Sequence, residues 1–400
     1  MQNQLFARLE SLFPELVDFR RDLHMNPELS FHEVRTPEKI AEFQRALGNE
    51  VRTGVGGRGV VATLRGGKPG RTVALRADFD ALPIQDAKDV PYKSTVPGVM
   101  HACGHDIHTA GLLGVAKVLS EVRDQLEGNV VFIHQFAEEV TPGGAKAMIE
   151  DGALDGVDVI YGAHVHSPEE YGTVGTIAGP AMAAADAFEI TVQGKGGHGA
   201  MPHQSVDPVV VASHLILALQ QIVSRQVNPL QSAVVTVGSI NAGIAFNVIP
   251  DSVSLKGTVR TFKPEVKATV LAAIESMVEN VCKAFGAEGK LSYTHGYPPV
   301  VNHAAETARV TRLAQEILGA DKVLEQEPSM GGEDFAYYLE KVPGSFFFTG
   351  GRNAGINATF PHHHPNFDVD ERSMLVTGKL FIAAVLEELG VGAAEAVQAA

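Results

Sequence analysis

Cysteine is nearly absent. The 400 residues carry two, Cys103 and Cys282. So far apart, they offer no disulfide framework, which fits a reducing cytoplasm. No run of about 18 apolar residues occurs, so no transmembrane helix is expected. The first residues, "MQNQLFARLE", lack the basic start and apolar core of a signal peptide. Basic charge is also short: 32 Lys and Arg stand against 47 Asp and Glu, a net charge of −15. With no Lys/Arg-rich stripe, a nucleic-acid partner is not expected. There is no repeat, no low-complexity tract and no G-x-S-x-G serine-nucleophile motif. The Ala-rich end "GVGAAEAVQAA" reads as a frayed tail.

What is present is alternation. Helices are expected near 5–24 and 36–47, then strands "GVVATL" (59–64) and "TVALRA" (72–77). "TAGLLGVAKVLSEVRDQL" (109–126) has apolar residues at helical spacing. "NVVFIHQF" (129–136) and "VDVIYGAHV" (157–165) read as strands, with a short helix near 144–151 between them. Strands this apolar, separated by helices, predict an α/β domain with a mostly parallel sheet covered on both faces. Near 183 the style changes to β-α-β-β-α-β, a unit able to fold by itself. Residues 183–297 are therefore read as an inserted domain. The outer domain is discontinuous, 1–182 plus 298–400.

Ligands of open α/β sheets bind beyond the carboxyl ends of strands. Five sets of metal-capable side chains fall there. They are Asp78 and Asp80 in "DFD", the Cys103/His105 pair in "HACGHDIH" ahead of the 109–126 helix, and Glu138 and Glu139 in "AEE". His164 and His166 close a strand, and His362, His363 and His364 lie in "PHHHPNFD". Singly, each has a bland reading as a thiol, cap or polar loop; His134, inside an apolar strand, reads as a core histidine. Their convergence on one rim points to a metal site. A thiolate with imidazoles and carboxylates suits zinc, with manganese or cobalt as further options. More groups are available than one catalytic zinc needs, which points to two metal ions. The double glutamate then divides its work: one carboxylate binds metal, and its neighbour acts as general base.

Seven blocks, "RADFDALPI", "MHACGHDIHTA", "FAEEVTPGGAKAMIEDG", "GKGGHGAMPH", "NVIPDSVSLKGTVRTF", "GGEDFAYYL" and "HHHPNFDVDE", follow one another from 76 to 371. Together they resemble the amidohydrolase branch of the aminoacylase–carboxypeptidase G metallopeptidase family. That branch includes hippurate hydrolases, N-acyl-L-amino-acid amidohydrolases and auxin–amino-acid conjugate hydrolases. The resemblance implies a di-metal catalytic domain and an inserted lid that dimerises. It implies Cys103, His105, Glu139, His164 and His363 as metal ligands, with Cys103 bridging. His363 follows from a His-x-Pro pattern, and His364 beside it stays open as the alternative. Glu138 matches the general base and Asp80 the acid that orients the site. Where better-known branches carry a histidine two residues before that acid, this chain has Asp78. His198 matches a lid histidine that reaches across the dimer to the scissile carbonyl. Asn247 and Arg260 match positions that hold the substrate carboxylate.

The expected activity is hydrolysis of the amide of an N-acyl amino acid by a cytoplasmic homodimer with no membrane partner. A carboxypeptidase acting on short peptides is the alternative. A non-catalytic metal-dependent binding protein is less favoured, because pure binding needs no base such as Glu138.

Overall fold

The β-branched and aromatic segments around 73, 130, 160 and 346 form the centre of an eight-stranded sheet in the computed structural model, which describes residues 1–390. The spatial order is Glu50–Val55, Gly59–Arg65, Glu127–Gln135, Lys68–Asp78, Val159–Glu170, Gly344–Arg352, Val174–Thr176 and Val323–Glu325. Its central four strands run parallel, and antiparallel pairings appear toward both edges. Those parallel strands are apolar on both faces because both faces are covered. Leu9 and Leu16 of the first helices, Leu112 and Val115 of helix His105–Ser120, and Phe381 and Val385 of helix Ser373–Glu388 share its largest core cluster. The expected tail beyond Gly390 lies outside the described residues.

Two element expectations need correction. The helix read over 5–24 is two helices, Gln2–Ser11 and Phe13–Met25. Pro14 lies in the first turn of the second, where a missing N–H costs nothing. The helix read over 109–126 starts at His105 and ends at Ser120. Its start is set by Gly104, whose φ of +102° turns the chain into the helix. A Cβ at Gly104 would stand 2.3 Å from Val165 Cγ1, so the approach also requires glycine.

The chain divides into two compact units. The first is Met1–Ala181, Val300–Glu327 and the residues from Asp334 on; the second is Met182–Pro299 with Pro328–Glu333. The short 328–333 piece joins the second unit through a bridge between Met182 and Ser329 and the bond from Ala183 N–H to Ser329 O. Within that unit four antiparallel strands lie in the order Ala233–Ala242, Ser252–Thr261, Ala184–Gln193, Glu288–Tyr297. Helices Pro208–Gln221 and Pro264–Ala284 cover one face. Cys282 is buried in this core, as its apolar helix face predicts. The stretch Pro208–Gln226 has a mean hydropathy of 1.3, and by length and composition alone it matches a membrane span. Val211, Leu215 and Leu219 on its inner side build the core of the unit, while Val210 and Leu217 are exposed.

Candidate metal centre

The carboxyl ends of the parallel strands carry the chemistry. Asp78 is the last residue of Lys68–Asp78, and Asp80 follows two positions on. Glu138 and Glu139 follow strand Glu127–Gln135. His164 lies on Val159–Glu170, His105 opens its helix, and His363 lies on the loop after Gly344–Arg352. The structure brings these together. Cys103, His105 and His164 have potential ligand atoms within 4.8 Å of one another, as do Cys103, Glu139 and His363, and also His105, Glu138 and Glu139. The groups share members, so they form one cluster with Cys103 in two of the three. Cys103 Sγ is 3.4 Å from His164 Nε2, and His363 Nε2 is 3.4 Å from Glu139 Oε1.

His105 and His164 are oriented from behind. His105 Nδ1 lies 3.0 Å from Asp80 O and 3.1 Å from Asp80 Oδ1, so Nδ1 carries the proton and Nε2 faces the cluster. His164 Nδ1 donates to Val165 O at 2.6 Å, which again leaves Nε2 for the cluster. Asp80 Oδ2 accepts the Ser30 hydroxyl at 2.6 Å and the Glu139 N–H at 3.0 Å. One buried acid thus fixes an imidazole and the backbone of a glutamate.

The electrostatics call for a cation. Burial pushes the Cys103 thiol well above its ordinary range, and the charges of Glu139, Glu138 and Asp78 push it further. Burial works against a charge on His105, yet Asp78, Asp80 and Glu139 outweigh it and raise its pKa to about 10. His105 Nε2 is buried without a hydrogen-bond partner. Buried polar atoms are normally paired. A buried nitrogen that faces carboxylates and a thiol without a hydrogen-bond partner fits a metal ligand, with a divalent ion taking the place of its proton, so the residues present suit such an ion.

Of the three consecutive histidines, His363 is the one in a metal-competent group. It adopts φ +64°, a left-handed conformation uncommon for a non-glycine residue. His364 Nδ1 accepts the Asn366 N–H at 3.0 Å and its ring stacks on Phe360. His362 Nε2 accepts the Ser167 N–H at 3.1 Å, while its Nδ1 stands 3.8 Å from Cys103 Sγ. His134 is fully buried, accepts from Gln44 Nε2 at 3.0 Å, and is held down to about 3 by burial, as a core histidine would be.

His108 escaped the sequence reading. Its Nδ1 donates to Asp78 Oδ1 at 2.6 Å and its Nε2 accepts the Val165 N–H at 2.9 Å. Its three-residue spacing from His105 becomes a signal only in a helix that begins at His105. Arg76 also went unremarked; its Nη1 lies 2.6 Å from Asp78 Oδ2. Burial raises the Asp78 pKa, but Arg76, His105 and His108 hold it well below the carboxylate range.

His198, Asn247 and Arg260 belong to the second unit. His198 pairs with Val248 across a two-residue ladder, and Gly199 N–H donates to Asn247 O at 2.9 Å. His198 and Asn247 therefore share one exposed arm. Arg260 is elsewhere, on the face of Ser252–Thr261 opposite the buried Val253, Leu255 and Val259.

A mixed α/β unit with a thiol, imidazoles and carboxylates at the parallel-strand ends defines a metallohydrolase architecture. The sequence pattern of peptidase family M20/M25/M40 matches residues 74–388, and the chain belongs to that family. YhaA of Bacillus subtilis, which bears the name amidohydrolase, is 52 % identical over 386 residues, 96 % of this chain and 98 % of that one. The N-acetyl-L-cysteine deacetylase of the same organism is 45 % identical, over 92 % of this chain and 87 % of the other. Among solved structures, the Bacillus subtilis YxeP protein, described as a dinuclear metal binding peptidase from the M20 family, superposes with a TM-score of 0.82. It is 37 % identical, covering 95 % of this chain and 99 % of that one.

Proposed function

We propose that this protein hydrolyses the amide bond of N-acyl amino acids with the aid of two divalent metal ions, releasing a carboxylic acid and a free amino acid. The observation that carries this reading is the cluster in which Glu138 stands beside Glu139 and His105. The relatives named amidohydrolase and deacetylase point the same way. Cys103, His105, Glu139, His164 and His363 are the residues that would hold the ions, and the donor set suits zinc, manganese or cobalt. Bound ions would supply Lewis-acid and water-activating chemistry. Glu138 takes the proton of the attacking water and delivers it to the leaving amine. Asp80 keeps His105 and Glu139 in register.

From the second unit, His198 is assigned to the developing oxyanion, and Asn247 and Arg260 to the substrate carboxylate. A lone sheet edge is a liability that pairing removes. Edge strands Ala233–Ala242 and Glu288–Tyr297 leave that option open, and we read the protein as a cytoplasmic homodimer joined through this unit. His198 of one chain would then serve the site of the other. The net charge of −15 supports a small-molecule substrate and not nucleic acid.

The test is a panel of N-acetyl, N-benzoyl and indole-acetyl amino acids with zinc, manganese and cobalt, run beside blocked dipeptides. Release of amino acid from the acyl substrates is expected. No release with any metal would overturn the reading. Cleavage of the dipeptides alone would replace it with the carboxypeptidase reading, which the word peptidase in the description of YxeP favours.

A further inference from the structure

The loop after helix Phe13–Met25 reaches under the site at several points. Ala81 N–H donates to Glu28 O at 2.8 Å, and Leu29 bridges Ala81, next to Asp80. The Ser30 hydroxyl binds Asp80 Oδ2 at 2.6 Å. Phe31 meets the Phe136 ring edge-on with centroids 5.8 Å apart. Glu33 Oε1 accepts the Ala137 N–H at 2.9 Å. One five-residue segment thus touches the loops after two neighbouring parallel strands.

Ala137 lies immediately before Glu138 and adopts φ +52°. An alanine does not rest in that left-handed region without outside support. The turn is what separates the strand direction of Gln135 from that of the paired glutamates. The bond to Glu33 is the side-chain contact made by the Ala137 amide. Glu33 is itself fully buried, and Arg58 Nη1 anchors its carbonyl at 2.5 Å. Phe31 is left-handed too, with φ +65°. The two unusual turns face one another through their rings and the carboxyl group.

We infer that segment 29–33 is a brace for the general-base loop, and that Glu33 is a positioning residue acting on Glu138 through the Ala137 N–H. The inference rests on reading Glu138 as the base. A buried acceptor is what the geometry demands, and a negative charge is not. Burial first, and then the charge of Asp80, push the Glu33 carboxyl up to about 8, and the bond to the Ala137 N–H needs only an acceptor oxygen at that place. Glu33→Gln therefore reproduces it.

The experiment compares Glu33→Gln, which keeps the acceptor, with Glu33→Met, which keeps the volume and removes it. Glu33→Asp, which retracts the acceptor by one methylene, is the milder companion. The first readout needs no metal: hydrogen exchange of the Ala137 amide in the apo protein. Exchange should stay slow in the parent and in Glu33→Gln, and speed up in the Met and Asp variants. The second readout is kcat and KM on the fastest substrate of the acyl-amino-acid panel. Misplacing a catalytic group by about 1 Å can cost roughly 100-fold. The Met and Asp variants should lose about 10- to 100-fold in kcat with KM and metal content within about twofold, while Glu33→Gln stays within about threefold. In a Glu138→Gln background the Met substitution should cost nothing further.

Unchanged Ala137 exchange in the Met and Asp variants overturns the brace. So does equal impairment of the Gln and Met variants, or a further full loss in the Glu138→Gln background. If the Met variant does not fold, Asp against Gln decides. If Glu138→Gln turns over like the parent, the base reading falls, and the exchange result still decides whether Glu33 holds the loop.

Discussion

The rim of the first unit and the arm of the second solve opposite problems. On the rim, three of the candidate groups have a second bond that fixes them. His105 is held by Asp80, His164 by the Val165 carbonyl, and the Glu139 backbone by Asp80 again. On the arm, His198 and Asn247 are exposed, and Ile244 and Phe246 beside them are fully exposed. The arm itself rests on a two-residue ladder. Groups that exchange protons with water must be aligned before substrate arrives, because alignment is most of their effect. Large apolar side chains left in water mark a surface that something else covers. The rim holds its groups in place by buried hydrogen bonds, and the arm leaves large apolar side chains exposed.

The sharpest way to break this comparison is at the rim. Glu138→Gln should bind metal and substrate yet lose about 10²- to 10⁴-fold in kcat, whereas Glu139→Gln should mainly weaken metal affinity. Identical behaviour of the two variants in metal titration and kinetics would end the division of labour. Next comes the thiol. Cys103→Ala should lose bound metal and activity, and Cys282→Ala, in the core of the other unit, should keep both. Metal analysis giving equal content rejects Cys103 as a ligand.

The arm is tested by complementation. His198→Ala and Glu138→Gln chains, each inactive alone, should recover about a quarter of wild-type activity after free exchange, since half the dimers carry one intact site. Parental background after proven exchange would show that His198 does not act across a dimer. The smallest effect is on stability. His134 is neutral in the fold down to about pH 3, while its unfolded form takes a proton near 6.5. The unfolded state therefore binds more protons below pH 6.5, and stability falls as pH drops from there toward 3. Between pH 7 and 5 this group should cost roughly 2 kcal/mol. Denaturant melts of His134→Gln should show a correspondingly flatter pH dependence.

The sheet is legible in the sequence because a strand buried on both faces leaves an unbroken apolar run, as in "NVVFIHQF". The second unit's helices and strands leave distinct runs in the sequence because one face of its sheet is covered and the strands alternate. The gathering of metal-capable groups follows from one topological rule about strand ends. Less legible is whatever depends on a single dihedral. The helix start at His105 rests on the positive φ of Gly104, and with it went the role of His108. The last two strands on one side of the sheet, Val174–Thr176 and Val323–Glu325, are three residues each, too short to leave a period. Glu33 and Ser30 act from a loop more than forty residues before the groups they hold, and no local pattern announces such a reach.

Three imidazoles crowd together, with His108 4.4 Å from His164 and 5.5 Å from His105 between ring centres. Such a trio would ordinarily invite an ion of its own. Yet both nitrogens of His108 are spoken for, one by Asp78 and the other by a main-chain amide. Of the single substitutions at that position, only Val165→Pro would remove the amide hydrogen. The backbone thus occupies the one nitrogen of His108 that Asp78 leaves over.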